Sequence, residues 1–357
     1  MSCSFGNNIK VTVFGQSHSE SIGCVLDGVP AGEKIDFDAL YAFMKRRAPG
    51  DRFSTPRKEA DFPKIVSGIV EGVTCGAPIC AIIDNTNTRS HDYDSLKNTP
   101  RPGHSDYTAM IKHSGFNDAR GGGNFSGRLT APLCFAGGIL MQILERRGIK
   151  IGAHISRLHS ITDDKIDPVG GDMEKLKALE NKDFPVINDD AAEQMMQKIL
   201  WAKKAGDSVG GIVECVITGV PAGYGDPIYD GIENRIASVV FGVPAVKGIE
   251  FGSGFDCALM TGTQHNDPFY LDGETVKTKT NNHGGILGGI TSGMPIVFRA
   301  AIKPTASVAA EQTSLDIKTS QQVTFRVGGR HDPCIVRRAV PVMQAAAAAA
   351  IADFVLK

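Results

Sequence analysis

The chain has 357 residues, enough for one large or two ordinary domains with an ample core. Its 38 Lys and Arg nearly balance 39 Asp and Glu, so the basic excess of a general nucleic-acid or membrane-surface protein is missing. Aromatic residues make up only 7%, which argues against stacking platforms for single-stranded nucleic acid.

The eight cysteines are scattered without CxxC spacing and read as reduced, mostly buried thiols, not a disulfide frame or zinc site. The N-terminal MSCSFGNNIKVTVFG lacks the apolar core of a signal peptide. No uninterrupted apolar run reaches membrane-spanning length, so the expected location is the cytoplasm. Glycine clusters at 121–123, 170–171, 210–211, 284–289 and 328–329 mark backbone with positive φ or close approach to another group.

In chain order, KVTVFG reads as a strand and CVLDGVPAG as a second apolar run ending in a turn, with His18 in the connection after Gly15. Residues 36–47 form a short helix capped by Asp36 or Asp38. Its basic end, Lys45, Arg46 and Arg47, suits the helix dipole or an anion. APGDRFSTPRKEADFP is irregular; its Arg52, Arg57 and Lys58 could clamp a phosphate or carboxylate, or be solvated surface. KIVSGIVEGVTCGAPICAIIDNT resumes the strand pattern, with a hairpin expected around Cys75–Pro78. Residues 87–98 are a polar loop, and after Arg128 an apolar helix runs to Gly148. Residues 151–160 read as a strand whose His154 and His159 are packing or surface groups, and 161–207 as a peripheral, partly helical excursion.

The opening pattern then returns. SIGCVLDGVPAG (21–32) resembles SVGGIVECVITGVPAG (208–223), and RLTAPLCFAGGILMQIL (128–144) has a weaker echo in RRAVPVMQAAAAAAIADFVL (337–356). Two copies of a strand, strand, helix unit predict a single pseudo-symmetric domain over 1–357, with halves near 10–150 and 205–357.

The chemistry gathers in RPGHSDYTAMIKHSGFNDARGGGNFSGRLTA (101–131), which joins histidine, acid, arginines and a triple-glycine turn. Ser17-His18, His104 with Asp106, and Arg330-His331-Asp332 each set a histidine or acid at a turn, as general acid work requires. Arg47, Arg52, Arg101, Arg128, Arg330 and Lys303 would hold a multiply anionic small molecule. A metal site on His18, His104 and Asp106 lacks HExxH or HxH spacing. Ser17 is not in a GxSxG elbow, and GGGNFSG lacks the acidic partner of a dinucleotide loop.

VFGQSHSESIGCVLDGVPAG, RPGHSDYT, RGGGNFSGR, NNHGGILGGITSG, IKPTAS and GRHDPC, in this order, resemble the chorismate synthase family over almost the whole chain. The resemblance implies an α+β fold, a β-α-β sandwich with internal pseudo-symmetry, assembled as a homotetramer. It implies elimination of phosphate from 5-enolpyruvylshikimate 3-phosphate to give chorismate, with reduced FMN and no net oxidation. The alternative is a flavin- or phosphate-binding homologue without lyase activity. By motif, His18 is the acid near the leaving phosphate, His104 the group at the flavin N1 side, and Asp332 the acid near N5, aided by Ser17. Arg47, Arg52, Arg101, Arg128 and Arg330 would bind substrate. Asn124, Phe125, Ser126, Ala245, Gly288, Lys303, Pro304, Thr305, Ala306, Ser307 and Arg330 fall in FMN-contacting segments. Some family members reduce the flavin with NADPH; no added reductase domain is recognisable here, which leans towards an external reductant.

Departures accompany the resemblance. Gln16 and Ser19 stand where the family's FGESHG has an acid and a glycine. Asn124, Phe125 and Leu129 replace an arginine, a serine and an acid, and Pro244 stands where an asparagine is frequent.

Overall fold

The computed structural model describes residues 3–50, 61–86, 98–328 and 331–356. The first half supplies β1 (Ser4–Phe5), β2 (Lys10–Gly15), β3 (Ser21–Asp27), α1 (Phe37–Arg47), β4 (Lys64–Ser67), β5 (Ile69–Val70), β6 (Val73–Thr74), β7 (Ile79–Asp84), α2 (Asp106–Lys112) and α3 (Thr130–Arg146). Then follow β8 (Lys150–Leu158), β9 (Ile161–Thr162), α4 (Met173–Leu179), α5 (Asp189–Lys204), β10 (Gly211–Thr218), α6 (Ile232–Gly242) and β11 (Val246–Phe251). The last part holds α7 (Gly262–His265), β12 (Phe269–Asp272), β13 (Thr275–Thr278), β14 (Ile286–Leu287), β15 (Ile290–Thr291), β16 (Ile296–Ile302), β17 (Gln312–Asp316), β18 (Gln321–Phe325) and α8 (Val336–Val355).

Two five-stranded antiparallel sheets result, ordered β1-β2-β3-β7-β4 and β11-β16-β10-β8-β9. Read from matching edges the orders coincide: β2 with β8, β3 with β10, β7 with β16, β4 with β11. In each half a helix, α1 or α6, lies between the second and third of these strands in sequence, and α3 or α8 follows the last. That is the arrangement an internal repeat produces.

Helices fill the space between the sheets. α3 packs on β2, β3 and β7, α8 packs on β8 and β10, and the two helices pack on each other. Their crossing is close because small residues meet: a Cβ on Gly137 would lie 2.3 Å from that of Ala345, the first of the buried alanines 345–350. Residues 127–146 and 336–355 are long and apolar enough, by length and composition, to cross a membrane, although neither is an uninterrupted apolar run. They are 72% and 83% buried inside the protein, as core helices must be.

Local chemistry explains most element ends. Asp36, not Asp38, caps α1, accepting from the Ala39 N–H at 3.0 Å. The hairpin expected around Cys75–Pro78 turns instead at Glu71-Gly72, both with positive φ, between β5 and β6. Such a two-residue turn matches strand twist, whereas Cys75–Pro78 merely leads back into β7. Arg52, Arg57 and Lys58 lie outside the described residues.

The segment 161–207 is less peripheral than its polarity suggests. Met195 and Ile199 of α5 are buried in the main core. Asp163 accepts from the Ile187 and Asn188 N–H groups at 2.8 and 2.9 Å. It also faces His154 Nδ1 at 2.8 Å, while His154 Nε2 faces Glu214 at 3.1 Å. His154 is wholly buried between these two carboxylates, so it is the centre of a polar network and not a packing group. Arg299 continues the network, donating to Glu214 at 3.1 Å and Glu250 at 2.6 Å.

Burial works against a charged imidazole, but bonds to Asp163 and Glu214 outweigh it and raise the pKa of His154. Its stabilising effect is complete below 6.5, the ordinary histidine value, and fades as pH rises through the raised folded value. Asp163 and Glu214 have depressed pKa values, so their share persists into acid and fails as pH falls through those folded values. Thermal denaturation across this range is expected to show a steeper alkaline loss in the wild type than in His154→Gln. Equal slopes would contradict the assignment.

Candidate active site

One cavity of about 860 Å³ opens between the halves of the fold. Its walls come from the loop after β2, the end of α1, the loops flanking α2, the glycine turn before α3, and segments 241–247, 303–307 and 331–342.

The loop after β2 is tied by Ser19. Its hydroxyl accepts from the Gln16 N–H at 2.9 Å and lies 2.7 Å from the carbonyls of Gln16 and Ser21. Ser17 and His18 are thereby turned inward and buried, with Ser17 Oγ 3.1 Å from His18 Nδ1. The glycine turn closes over them, its Gly123 carbonyl accepting from the Ser17 N–H at 3.0 Å. Gly121 has φ +65°, and a Cβ there would sit 2.5 Å from the His18 ring. Only glycine fits at this point.

The second wall is organised by Arg101. Its Nη1 donates to Ser307 Oγ at 2.9 Å and its Nη2 to the Gly121 carbonyl at 2.6 Å. Nε and Nη2 also grip the Asp106 carboxylate, each at 2.7 Å. Arg101 thus ties three loops together. Lys303 Nζ donates to the Gly103 carbonyl at 2.6 Å. Burial, and then the charge of Lys247, lower the Lys303 pKa.

Deeper in, Arg47 and Arg128 converge on one carboxylate, Asp61, whose side chain is 1% exposed. Burial would raise the pKa of Asp61, but the two guanidinium groups overcome that and hold it below the usual range. Arg47 also donates to Thr130 Oγ1 at 3.1 Å, and Arg128 to Asn85 Oδ1 at 3.0 Å. On the α8 side, Arg338 donates to Asp332 at 2.7 Å and to the Arg47 carbonyl at 2.9 Å. His331 bonds the Val327 carbonyl at 3.0 Å, a local structural contact.

The structure therefore brings Ser17, His18, Arg47, Arg101, His104, Asn124, Phe125, Ser126, Arg128, Ala245, Lys303, Pro304, Thr305, Ala306, Ser307 and Asp332 to one cavity. Gly288 does not line it; with Gly289 it makes the positive-φ turn of the β14–β15 hairpin. Arg52 and Arg330 lie outside the described residues. Asp61, Lys247 and Arg338 went unnoticed in the sequence. Among the described residues no cluster of three His, Cys, Asp or Glu side chains could hold a metal ion.

The family profile described as chorismate synthase matches residues 9–356. A chorismate synthase of Thermococcus kodakarensis is 45% identical over 352 residues, covering 99% of this chain and 97% of that one. One of Chitinophaga pinensis is also 45% identical, covering 99% and 96%. The chain belongs to the chorismate synthase family. A crystal structure titled as chorismate synthase superposes with a TM-score of 0.76 at 25% identity, covering 98% of this chain and 92% of that one.

Within the chorismate synthase pattern, this chain's departures are locally accommodated. Ser19 makes the turn that a glycine would otherwise make, while Leu129 packs against the core. Asn124 and Phe125 occupy a single helical turn at the cavity wall. Ser126 accepts from the Arg128 N–H at 3.2 Å and so caps the next turn. Pro244 precedes Ala245, whose φ of +73° is rare outside glycine, and the Ala245 carbonyl accepts from the Lys303 N–H at 2.9 Å.

Proposed function

We propose that the chain eliminates phosphate from 5-enolpyruvylshikimate 3-phosphate to give chorismate, with reduced FMN, in aromatic amino acid biosynthesis. The observation that carries this reading is one cavity holding three buried arginines, three histidines, an aspartate and the 303–307 segment together.

The reaction breaks a C–O bond to phosphate and a ring C–H bond, forms a C=C bond, and leaves no net oxidation. When bound, reduced FMN supplies transient electron density that weakens the C–O bond. The residues present fit such a group. Phe241, Val243, Pro244, Ile335 and Val342 give apolar wall for a flat ring, and Lys247 and Lys303 give charge for its phosphate. Ser126, Ala245 and residues 303–307 would line it.

The chain's own groups have separable tasks. Arg47 and Arg128, which meet at Asp61, bring positive charge to the substrate's phosphate and carboxylates. His18, held by Ser17, donates a proton to the departing phosphate oxygen. Arg338 holds Asp332 in place to handle the ring proton. His104 serves the reduced flavin. Arg101 acts as a strut, a revision of the substrate role the resemblance implies. Arg330 and Arg52 are further substrate candidates.

Self-association as a homotetramer is supported by exposed apolar side chains beyond the cavity: Phe255 and Leu259 at 81% and 87%, with Phe269 and Leu271 on β12. An external reductant and a cytoplasmic location complete the reading. Anaerobic incubation with the enolpyruvyl substrate tests it. Phosphate release is expected with reduced FMN and not with oxidised FMN; no release with either would refute it.

A further inference from the structure

Asp106, the first residue of α2, stands in the RPGHSDYT motif but is given no role by the resemblance, yet its carboxylate joins two groups of the cavity wall. Oδ2 accepts from Arg101 Nε at 2.7 Å and from the Arg101 backbone N–H at 3.0 Å. Oδ1 accepts from Arg101 Nη2 at 2.7 Å and lies 2.6 Å from His104 Nδ1. Arg101 Nη2 is itself 3.1 Å from that same nitrogen.

The two neighbours make opposite demands on His104. A guanidinium only donates and an ionised carboxylate only accepts. Arg101 therefore asks Nδ1 for a lone pair, and Asp106 asks it for a hydrogen. Hydrogen counting decides between them. Nη2 carries two hydrogens, and both already have acceptors: Asp106 Oδ1 at 2.7 Å and the Gly121 carbonyl at 2.6 Å. The contact to Asp106 is also the shorter one. Nδ1 thus bears the hydrogen.

We propose that Asp106 is the positioning residue for His104, fixing the ring with Nδ1 protonated so that Nε2 is the nitrogen that gains and loses a proton. Arg101 orients the carboxylate and connects it to the 121 and 307 loops. The proposal rests on reading this cavity as the elimination site, since only there does the His104 proton matter. Asp106 touches neither substrate nor cofactor in this account; it acts through His104.

The test begins with the wild-type protein. Nitrogen-15 spectra of histidine-labelled protein, with His104 assigned by loss of its signals in His104→Gln, are expected to show that the neutral form of the ring carries its hydrogen on Nδ1. A ring protonated at Nε2 overturns the proposal. This readout needs no turnover, so it separates failure of the proposal from failure of the proposed reaction.

In Asp106→Asn the amide can offer a hydrogen to Nδ1, and the population is expected to move to the Nε2-protonated form. Turnover is then expected to fall about 10-fold or more with KM little changed. In a His104→Ala background the same substitution is expected to cost almost nothing further. An equal loss in both backgrounds would mean that Asp106 acts through Arg101 and the fold, which also overturns the proposal.

Discussion

Asp61→Ala is expected to lower the unfolding free energy by about 3–5 kcal/mol, the cost of taking from two buried guanidinium groups the carboxylate they share. The side chains of Asp61, Arg47 and Arg128 are 1%, 3% and 5% exposed, so water does little to relieve them. That loss is a sizeable share of the total of about 5–15 kcal/mol available to a typical protein. Denaturant unfolding measures it directly. The depressed pKa of Asp61 sets the sign of its pH dependence. Its contribution is present above the ordinary carboxylate value of 3.8 and is lost as pH falls through the folded value, so variant and wild type should converge in acid. Inorganic phosphate should restore part of the stability of Asp61→Ala by binding the two arginines. A loss below about 1 kcal/mol, the scale of an exposed pair, would show that the three groups are not coupled as described.

His18→Ala is expected to reduce kcat by about 10²–10⁴-fold while KM for the phosphate ester changes little. The reasoning is geometric. His18 is buried, lies against the Gly121 turn, and has Ser17 Oγ 3.1 Å from its Nδ1. A group so fixed can give up a proton without reorganising its surroundings. Ser17→Ala should cost less, because it loosens the ring without removing the acid. If His18→Ala raised KM and left kcat unchanged, the imidazole would be a binding group only.

The sequence made some of this fold legible and concealed other parts for identifiable reasons. The VPAG turns and the apolar runs before them exposed the matching β3 and β10, because turn chemistry and strand patterning are both local. The hairpin at Glu71-Gly72 was misplaced to Cys75–Pro78 because a proline signals a turn more loudly than a non-glycine residue with positive φ. The site residues near glycines were visible through their motifs. Their partners were not. Asp61 pairs with Arg128 from 67 positions away, and Glu214 meets His154 across 60. Nothing local marks such an acid as buried, since burial follows from the packing of distant elements. His154 looked like a packing residue for that reason. Nothing local to Arg338 marks its partners either, since it reaches back to Asp332 and to the Arg47 carbonyl.

The two histidines and the aspartate acquire meaning only if phosphate leaves without the flavin being consumed. The decisive measurement is the stoichiometry of an anaerobic reaction with a small amount of reduced FMN and excess 5-enolpyruvylshikimate 3-phosphate. The account predicts one phosphate and one chorismate per substrate, many turnovers per flavin, and reduced flavin remaining at the end. Phosphate released only in step with flavin oxidation, or no chorismate at all, would contradict it.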